Sequence, residues 1–235
     1  MTSMLEGIGS VAALSAVPRL RHGFGRRAPG PSPESREETA RRVGAGLDAG
    51  ERLLLLRQVH GTSVASAPWD TPPEADAAIA AEPGLVLGIQ TADCLPLLLV
   101  DPRHESVAAV HAGWRGTAAG VTRQAVRALV ARGSRPRELL AALGPGIGPC
   151  CYEVGEELRD AFGPEGAEFF RPGRNGRPHL DLRAANLRQL LDEGLEPEAI
   201  HQIPDCTRCR PELYHSFRRE GRGGGRMISF VGYRP

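Results

Sequence analysis

Three apolar stretches, each short enough for one β-strand, run into a side chain that can ligate a metal. Leu53–Val59 ends at His60, Leu85–Ala92 at Asp93-Cys94, and Val107–Val110 at His111. This pattern constrains the fold, because strand ends are where a sheet delivers side chains to a common rim. Taken singly, a histidine is more often a hydrogen-bonded structural residue, and a cysteine a small buried apolar one. Two imidazoles and one thiolate on three successive strand ends point instead to a shared ion. A three-ligand site leaves a fourth position free, which is the mark of a catalytic metal. Mixed nitrogen and sulfur donors suit zinc, and copper shares those preferences.

The remaining pattern interleaves strands and helices. A strand is expected near Leu20–Phe24, after an irregular segment over 1–18 and before a Pro/Gly loop over 26–34. Ser35 and Glu38 form a capping-box pattern for a helix over Glu37–Leu47. Ala67–Ala75, with three prolines, reads as loop. Leu95–Val100 is a further strand in which Pro96 predicts a bulge or a sheet edge. Thr117 is the expected N-cap of a helix carrying Val121, Ala125 and Leu129, stopped by Gly133. Leu139–Leu143 is a strand, and a helix should begin around Val154–Glu156. Leu180–Leu182 is a short strand, followed by a helix through Leu187, Leu190 and Leu191 that Gly194 ends. Ala199–Ile203 and Met227–Tyr233 are the last strands. Alternation of this kind gives a mixed α and β class. With no repeat and no long linker, 1–235 is expected to be one domain.

Composition excludes several functions. The net charge of +1 gives no global field for nucleic acid or membrane, and 5% aromatic residues is too few for a base-stacking platform. No apolar run approaches the roughly 18 residues of a membrane span. Ile8–Val17 is preceded by Glu6 rather than a basic cluster, so it does not read as a signal peptide, and the cytoplasm is the expected compartment. All 29 basic residues are arginine. Lysine Schiff-base chemistry and a Walker lysine are therefore excluded, and arginine is the strong anion clamp that remains.

Five cysteines, an odd number, argue against a disulfide framework. Cys206 and Cys209 have the two-residue gap of a zinc knuckle but lack a second pair at the usual distance. In an extended segment Cys150 and Cys151 would point to opposite sides. Asp93 adjoins a ligand; it is a candidate orienter of an imidazole, or a general acid or base, or simply a turn cap. Arg115 sits in the turn Gly113-Trp114-Arg115-Gly116 at a helix start, where backbone N–H groups favour an anion; stacking on Trp114 is the plainer alternative. Gly144 to Pro149 lacks the glycine spacing of a dinucleotide loop and reads as a wall beside the site. Arg218, Arg219 and Arg226, among four glycines, are a solvated face or a second anion subsite.

The strings Gln58-Val59-His60-Gly61, Thr91-Ala92-Asp93-Cys94-Leu95-Pro96 and Ala109-Val110-His111-Ala112-Gly113-Trp114-Arg115-Gly116 resemble the laccase-domain proteins. These are bacterial purine nucleoside phosphorylases that also carry the label multicopper polyphenol oxidase. Gly144 to Val154, and Cys206-Thr207 leading to Phe217-Arg218-Arg219, extend the likeness from about residue 20 to the end. The resemblance implies an α+β fold of mixed sheets packed face to face, with helices on the outer faces. It implies zinc held by His60, Cys94 and His111. It implies phosphorolysis of adenosine, inosine, guanosine and methylthioadenosine, with some adenosine deamination. Under it, Arg26, Gln58, Arg115 and Arg218 would bind substrate or phosphate, and Asp93, Arg115 and Glu153 would act in catalysis. The expected partners are purine nucleosides and phosphate, and the expected state is a monomer. Two departures stand out. Gly23-Phe24-Gly25-Arg26-Arg27-Ala28 replaces a Ser-Thr-Arg-x-Gly-Gly type of segment, and Ser216-Phe217-Arg218-Arg219-Glu220 replaces Ser-Tyr-Arg-Arg-Asp. Both keep their arginines. The rival, copper-dependent phenol oxidation, asks for clustered histidines and a weak axial methionine. The seven histidines are scattered, and two of the three methionines fall in the first four residues.

Overall fold

The computed structural model describes residues 9–28, 35–173 and 176–235. The expectations over 1–8 and over 29–34 of the Pro/Gly loop lie outside these. In chain order the elements are α1 (Ala12–Ser15), β1 (Leu20–Gly23), α2 (Arg36–Ala45), β2 (Arg52–Leu55), β3 (Val64–Ser66), β4 (Ala77–Ala80), β5 (Leu85–Thr91), β6 (Leu95–Asp101) and β7 (Ser106–Ala112). They continue with α3 (Trp114–Ala118), α4 (Val121–Val130), β8 (Leu140–Leu143), α5 (Glu157–Phe162), β9 (Phe170–Pro172), β10 (Pro178–Leu180), α6 (Leu182–Asp192), β11 (Ile200–Gln202), α7 (Phe217–Glu220) and β12 (Met227–Tyr233). No described helix is long and apolar enough to cross a membrane.

Two mixed sheets carry the fold. One has the strand order β1-β12-β5-β2, the other β11-β8-β6-β7-β4-β3, and β9 and β10 form a separate ribbon. The period-two alternation of strand side chains decides the layering. In β6, Leu98 and Val100 meet Leu87, Ile89, Val231 and Tyr233 of the other sheet. The intervening Leu97 and Leu99 face the opposite way, onto Val121, Ala125 and Leu129 of α4 and Leu182 and Leu190 of α6. On the far side of the smaller sheet, Val86, Ile228 and Phe230 are covered by Val43 of α2. The sheets therefore pack face to face with helices outside, as the resemblance implied. The capping box of Ser35 and Glu38 starts α2 as expected, with Glu38 N–H donating to Ser35 Oγ and Ser35 N–H donating to the Glu38 carboxylate.

Several local expectations are corrected. The stretch over 1–18 is not wholly irregular, since Ala12–Ser15 forms a helical turn. Pro96 makes neither bulge nor edge. It sits second in the interior strand β6, just beyond the β8 ladder that starts at Leu97↔Leu143, so its missing N–H costs no ladder bond. Its carbonyl accepts from Gly144 N–H at 2.8 Å. Thr117 is not an N-cap. Helix α3 starts earlier, from Gly113, and Gly120 in the left-handed region (φ +87°) separates it from α4. Leu182 opens α6 rather than closing a strand, because Asp181 accepts from Ala184 N–H at 3.0 Å.

Thr117 instead joins a buried polar knot. Asn186 Nδ2 donates to Thr117 Oγ1 (3.0 Å) and to the Leu182 carbonyl (2.8 Å), and Thr122 Oγ1 donates to Asn186 Oδ1 (2.7 Å). All three side chains are buried. Asn186→Ala is expected to strand both hydroxyls and cost about 2–4 kcal/mol, read as a lower urea midpoint. An unchanged midpoint would show that α3, α4 and α6 do not depend on this knot.

Candidate metal centre and its cleft

The chain crosses from one sheet to the other through Ala92-Asp93-Cys94, between β5 and β6. Asp93 takes a left-handed conformation (φ +88°) to make that crossing tight. Cys94 is thereby set at the junction. His111 is the sixth residue of β7, paired across to Pro96. The expected strand Leu53–Val59 ends early, at Leu55, and His60 lies in the loop beyond it with φ +63°. His60 is thus not a strand-end residue, and His111 is within its strand rather than past it. The three donors nevertheless converge, with His60, Cys94 and His111 ligand atoms all within 4.8 Å of one another. The two imidazoles meet edge to face, with centroids 4.8 Å apart and planes at 76°. Gly113 leaves room for the trio. A Cβ there would lie 3.0 Å from His60 Cδ2 and 3.1 Å from Cys94 Sγ.

Asp76, which the sequence did not single out, organises this centre. It is fully buried. Its Oδ1 accepts from His111 Nδ1 (2.7 Å) and His60 N–H (2.9 Å), and its Oδ2 from Gly61 N–H (2.6 Å) and Val59 N–H (3.1 Å). These bonds fix the loop beyond β2: Arg57 N–H has already turned to the Pro73 carbonyl, and the amides of 59–61 are then drawn onto one carboxylate. They also assign the imidazole-orienting role to Asp76 rather than Asp93. With Nδ1 engaged, His111 has Nε2 left for the centre. Burial pushes the Asp76 carboxyl up, but the His111 ring and the amides of Gly61 and His60 outweigh it and hold the group below the usual range. Burial likewise raises the Cys94 thiol, and the adjacent His111 and His60 rings overcome it, so the thiolate is favoured. His111 moves the other way: burial opposes its charge, and Cys94 and Asp76 more than restore it.

The trio lies in a cleft of ≈ 770 Å³, within the range of small-molecule sites. Arg36, Arg57, Arg115, Arg218 and Arg226 line it, against the carboxylates of Glu37 and Asp93. Trp114, Tyr152 and Phe217 supply aromatic wall, and Ile147 of the Gly144–Pro149 loop contributes as the sequence suggested. Arg115 stacks over Trp114 at 4.4 Å, so stacking and exposure to the cleft coexist. Arg218 stacks over Tyr152 at 5.3 Å and donates to the Glu153 carbonyl at 2.8 Å.

Gln58 lines the cleft, but both ends of its amide are taken by the backbone of Gln90, at 2.8 Å each. Asp93 lines it too. Its Oδ1 accepts from Thr207 Oγ1 (2.6 Å) and its Oδ2 from Arg218 N–H (2.7 Å), which ties two distant loops to the centre. Glu153 and Arg26 are not among the lining residues. The Glu153 carboxylate is drawn outward to Arg177 at 3.1 Å, and Arg26 lies against the Tyr214 phenol. Cys150 and Cys151 do not occupy an extended segment either. Cys151 and Tyr152 N–H both donate to the Gly148 carbonyl (2.9 and 3.0 Å), which closes a turn there.

A family model described as multi-copper polyphenol oxidoreductase laccase matches residues 27–234. A purine nucleoside phosphorylase of Deinococcus radiodurans is 40% identical over 205 residues, covering 87% of this chain and 78% of that one. Adenosine deaminase RL5, from an unknown prokaryotic organism, is 34% identical over 215 residues, covering 84% and 80%. The crystal structure of YlmD from Geobacillus stearothermophilus matches with a TM-score of 0.83 at 27% identity, over 97% of this chain and 99% of that one.

Proposed function

Because the chain belongs to the multi-copper polyphenol oxidoreductase laccase family, whose relatives include proteins named purine nucleoside phosphorylase and adenosine deaminase, we propose that it is a purine nucleoside phosphorylase with adenosine deamination as a side activity. Adenosine, inosine, guanosine and methylthioadenosine are its substrates in this reading, phosphate is the second substrate, and the chain works as a cytoplasmic monomer. The observation that carries it is the His60, Cys94 and His111 trio inside an arginine-lined cleft with aromatic walls.

The donor set fits zinc: two ring nitrogens, a favoured thiolate, and an orienting carboxylate behind one ring. His60, Cys94 and His111 would hold the ion, which when bound supplies Lewis-acid charge beside the purine. The remaining work falls to the chain's own side chains. Trp114, Tyr152 and Phe217 supply apolar wall for the base. Arg115 and Arg218, already held against aromatic faces, grip the phosphate with their planar forks. A phosphate oxygen then bonds to C1′ as the C1′–N9 bond breaks and its electron pair leaves with the purine. The transition state resembles an oxocarbenium ion, so positioning and charge are the main catalytic resources. Asp93, which lines the cleft, relays to the departing purine the proton that hydrogen phosphate gives up as its oxygen bonds to C1′, while its contacts to Thr207 and Arg218 N–H hold it in place. Glu153 acts at one remove, through its carbonyl on Arg218. Arg26 and Gln58 serve the architecture around the cleft.

The test is incubation with adenosine, with and without phosphate, followed by chromatography of products. Adenine and ribose-1-phosphate are expected only with phosphate. Arg115→Ala is expected to lower kcat/KM for phosphate by roughly 10- to 100-fold, the worth of one charge-assisted hydrogen bond. Among the described residues the metal-capable groups contain only two histidines, His60 and His111, against the many that a multicopper cluster needs. Oxygen uptake with a phenol after copper loading, without release of base, would reverse the assignment.

A further inference from the structure

Four of the five cysteines meet at a second place. The turn at Gly148–Tyr152 brings Cys150 and Cys151 alongside the Cys206–Cys209 turn, and the four sulfurs all lie within 4.8 Å of one another. Cys209 Sγ is 3.7 Å from Cys150 Sγ and 3.4 Å from Cys151 Sγ. A tetrahedral ion with bonds of about 2.3 Å needs sulfurs about 3.8 Å apart, and the two Cys209 separations straddle that value while every pair lies within 4.8 Å. All four cysteines are free thiols. We infer that Cys150, Cys151, Cys206 and Cys209 form a closed four-thiolate site for a structural zinc ion, separate from the open His60, Cys94 and His111 centre.

Backbone geometry supports the inference independently of the sulfur distances. Gly148 N–H donates to Cys206 Sγ at 3.2 Å, which favours a thiolate there. Cys209 N–H and Arg210 N–H both donate to the Cys206 carbonyl (3.1 and 3.2 Å), folding the two-residue gap into a knuckle. Glycine at position 148 lets the two straps approach closely. A Cβ there would be 3.3 Å from both Cys150 Sγ and Cys206 Cβ. Four thiolates around a divalent ion carry a charge of −2, and the Arg208 guanidinium against Cys151 supplies a compensating cation.

The site would join the two walls of the cleft. Its first strap continues into Ile147 and Tyr152, which line the cleft. Its second carries Thr207, which holds Asp93. The two straps otherwise meet through a short parallel bridge, Gly146↔Cys206. A closed site with no free position is structural rather than catalytic.

The experiment is metal analysis of three full-length proteins purified under reducing conditions and equilibrated with zinc: wild type, Cys94→Ala, and Cys206→Ser with Cys209→Ser. About two ions per chain are expected for wild type and about one for each variant. Cobalt loading of Cys94→Ala gives a second readout that does not depend on the serine variant folding. Intense thiolate-to-cobalt absorption with tetrahedral d–d bands is expected to persist when Cys94 is gone. Loss of that spectrum in Cys94→Ala, undiminished zinc in the double serine variant, or a Cys151–Cys209 disulfide in freshly isolated wild type would each overturn the assignment.

Discussion

Asp76→Asn is expected to weaken zinc at the His60, Cys94 and His111 centre by about 10- to 100-fold, the usual cost of losing a carboxylate behind a metal-bound imidazole. The geometry makes the substitution unusually unforgiving. Each oxygen of Asp76 accepts two donors, Oδ1 from His111 and His60, Oδ2 from Gly61 and Val59. An amide must put its NH₂ toward one pair or the other. Facing Oδ1's donors, it opposes the His111 ring N–H and releases the tautomer. Facing Oδ2's donors, it opposes two backbone amides and frees the loop that carries His60. Asp76→Ala removes the acceptor altogether, leaves the buried His111 ring and three part-buried amides unanswered, and is expected to cost about 3–5 kcal/mol of folding stability. Competition against a chromogenic chelator measures the first effect and denaturant unfolding the second. An Asn variant with wild-type zinc affinity would mean that His60 and His111 hold their places without Asp76.

That Asp76 escaped the sequence while its ligands did not has a physical cause. Leu85–Thr91, Leu95–Asp101 and Met227–Tyr233 are rich in branched and aromatic side chains and announce themselves as strands. Ala77–Ala80 does not, because alanine has little strand preference of its own. It pairs only because β7 and β3 flank it and every residue is buried. The carboxylate at its head therefore reads as part of a loop. Cys150-Cys151 fails for a related reason. Two adjacent side chains diverge in extended backbone, and only the turn onto the Gly148 carbonyl, a tertiary feature, brings them round. Arginine partners are equally illegible. Nothing in the order of residues says that Glu153 meets Arg177 while its carbonyl orients Arg218. What was readable is the chemistry that survives local error: His60 and His111 reach the centre even though neither stands just past the end of its strand.

Cys94→Ala is expected to carry the larger effect on activity. The thiol is drawn toward its charged form by His111 and His60 against the pull of burial, so it is the anionic member of the donor set. Without it two imidazoles remain, too few to hold zinc in a three-ligand open site. Lewis-acid stabilisation by a bound ion is worth several kcal/mol, so kcat for adenosine phosphorolysis should fall roughly 10²- to 10³-fold or more. KM for phosphate should change little, because Arg115 and Arg218 are held by Trp114, Tyr152 and the Glu153 carbonyl rather than by the thiol. A split of that kind separates loss of the ion from collapse of the cleft, which would raise KM as well. Cys94→Ser makes the comparison stricter, since it keeps the volume and removes the soft donor. Total metal alone would mislead, because the four-cysteine cluster is expected to retain its own ion. Full phosphorolysis by a Cys94→Ala protein whose remaining metal disappears with Cys206 and Cys209 would remove the trio from the chemistry altogether.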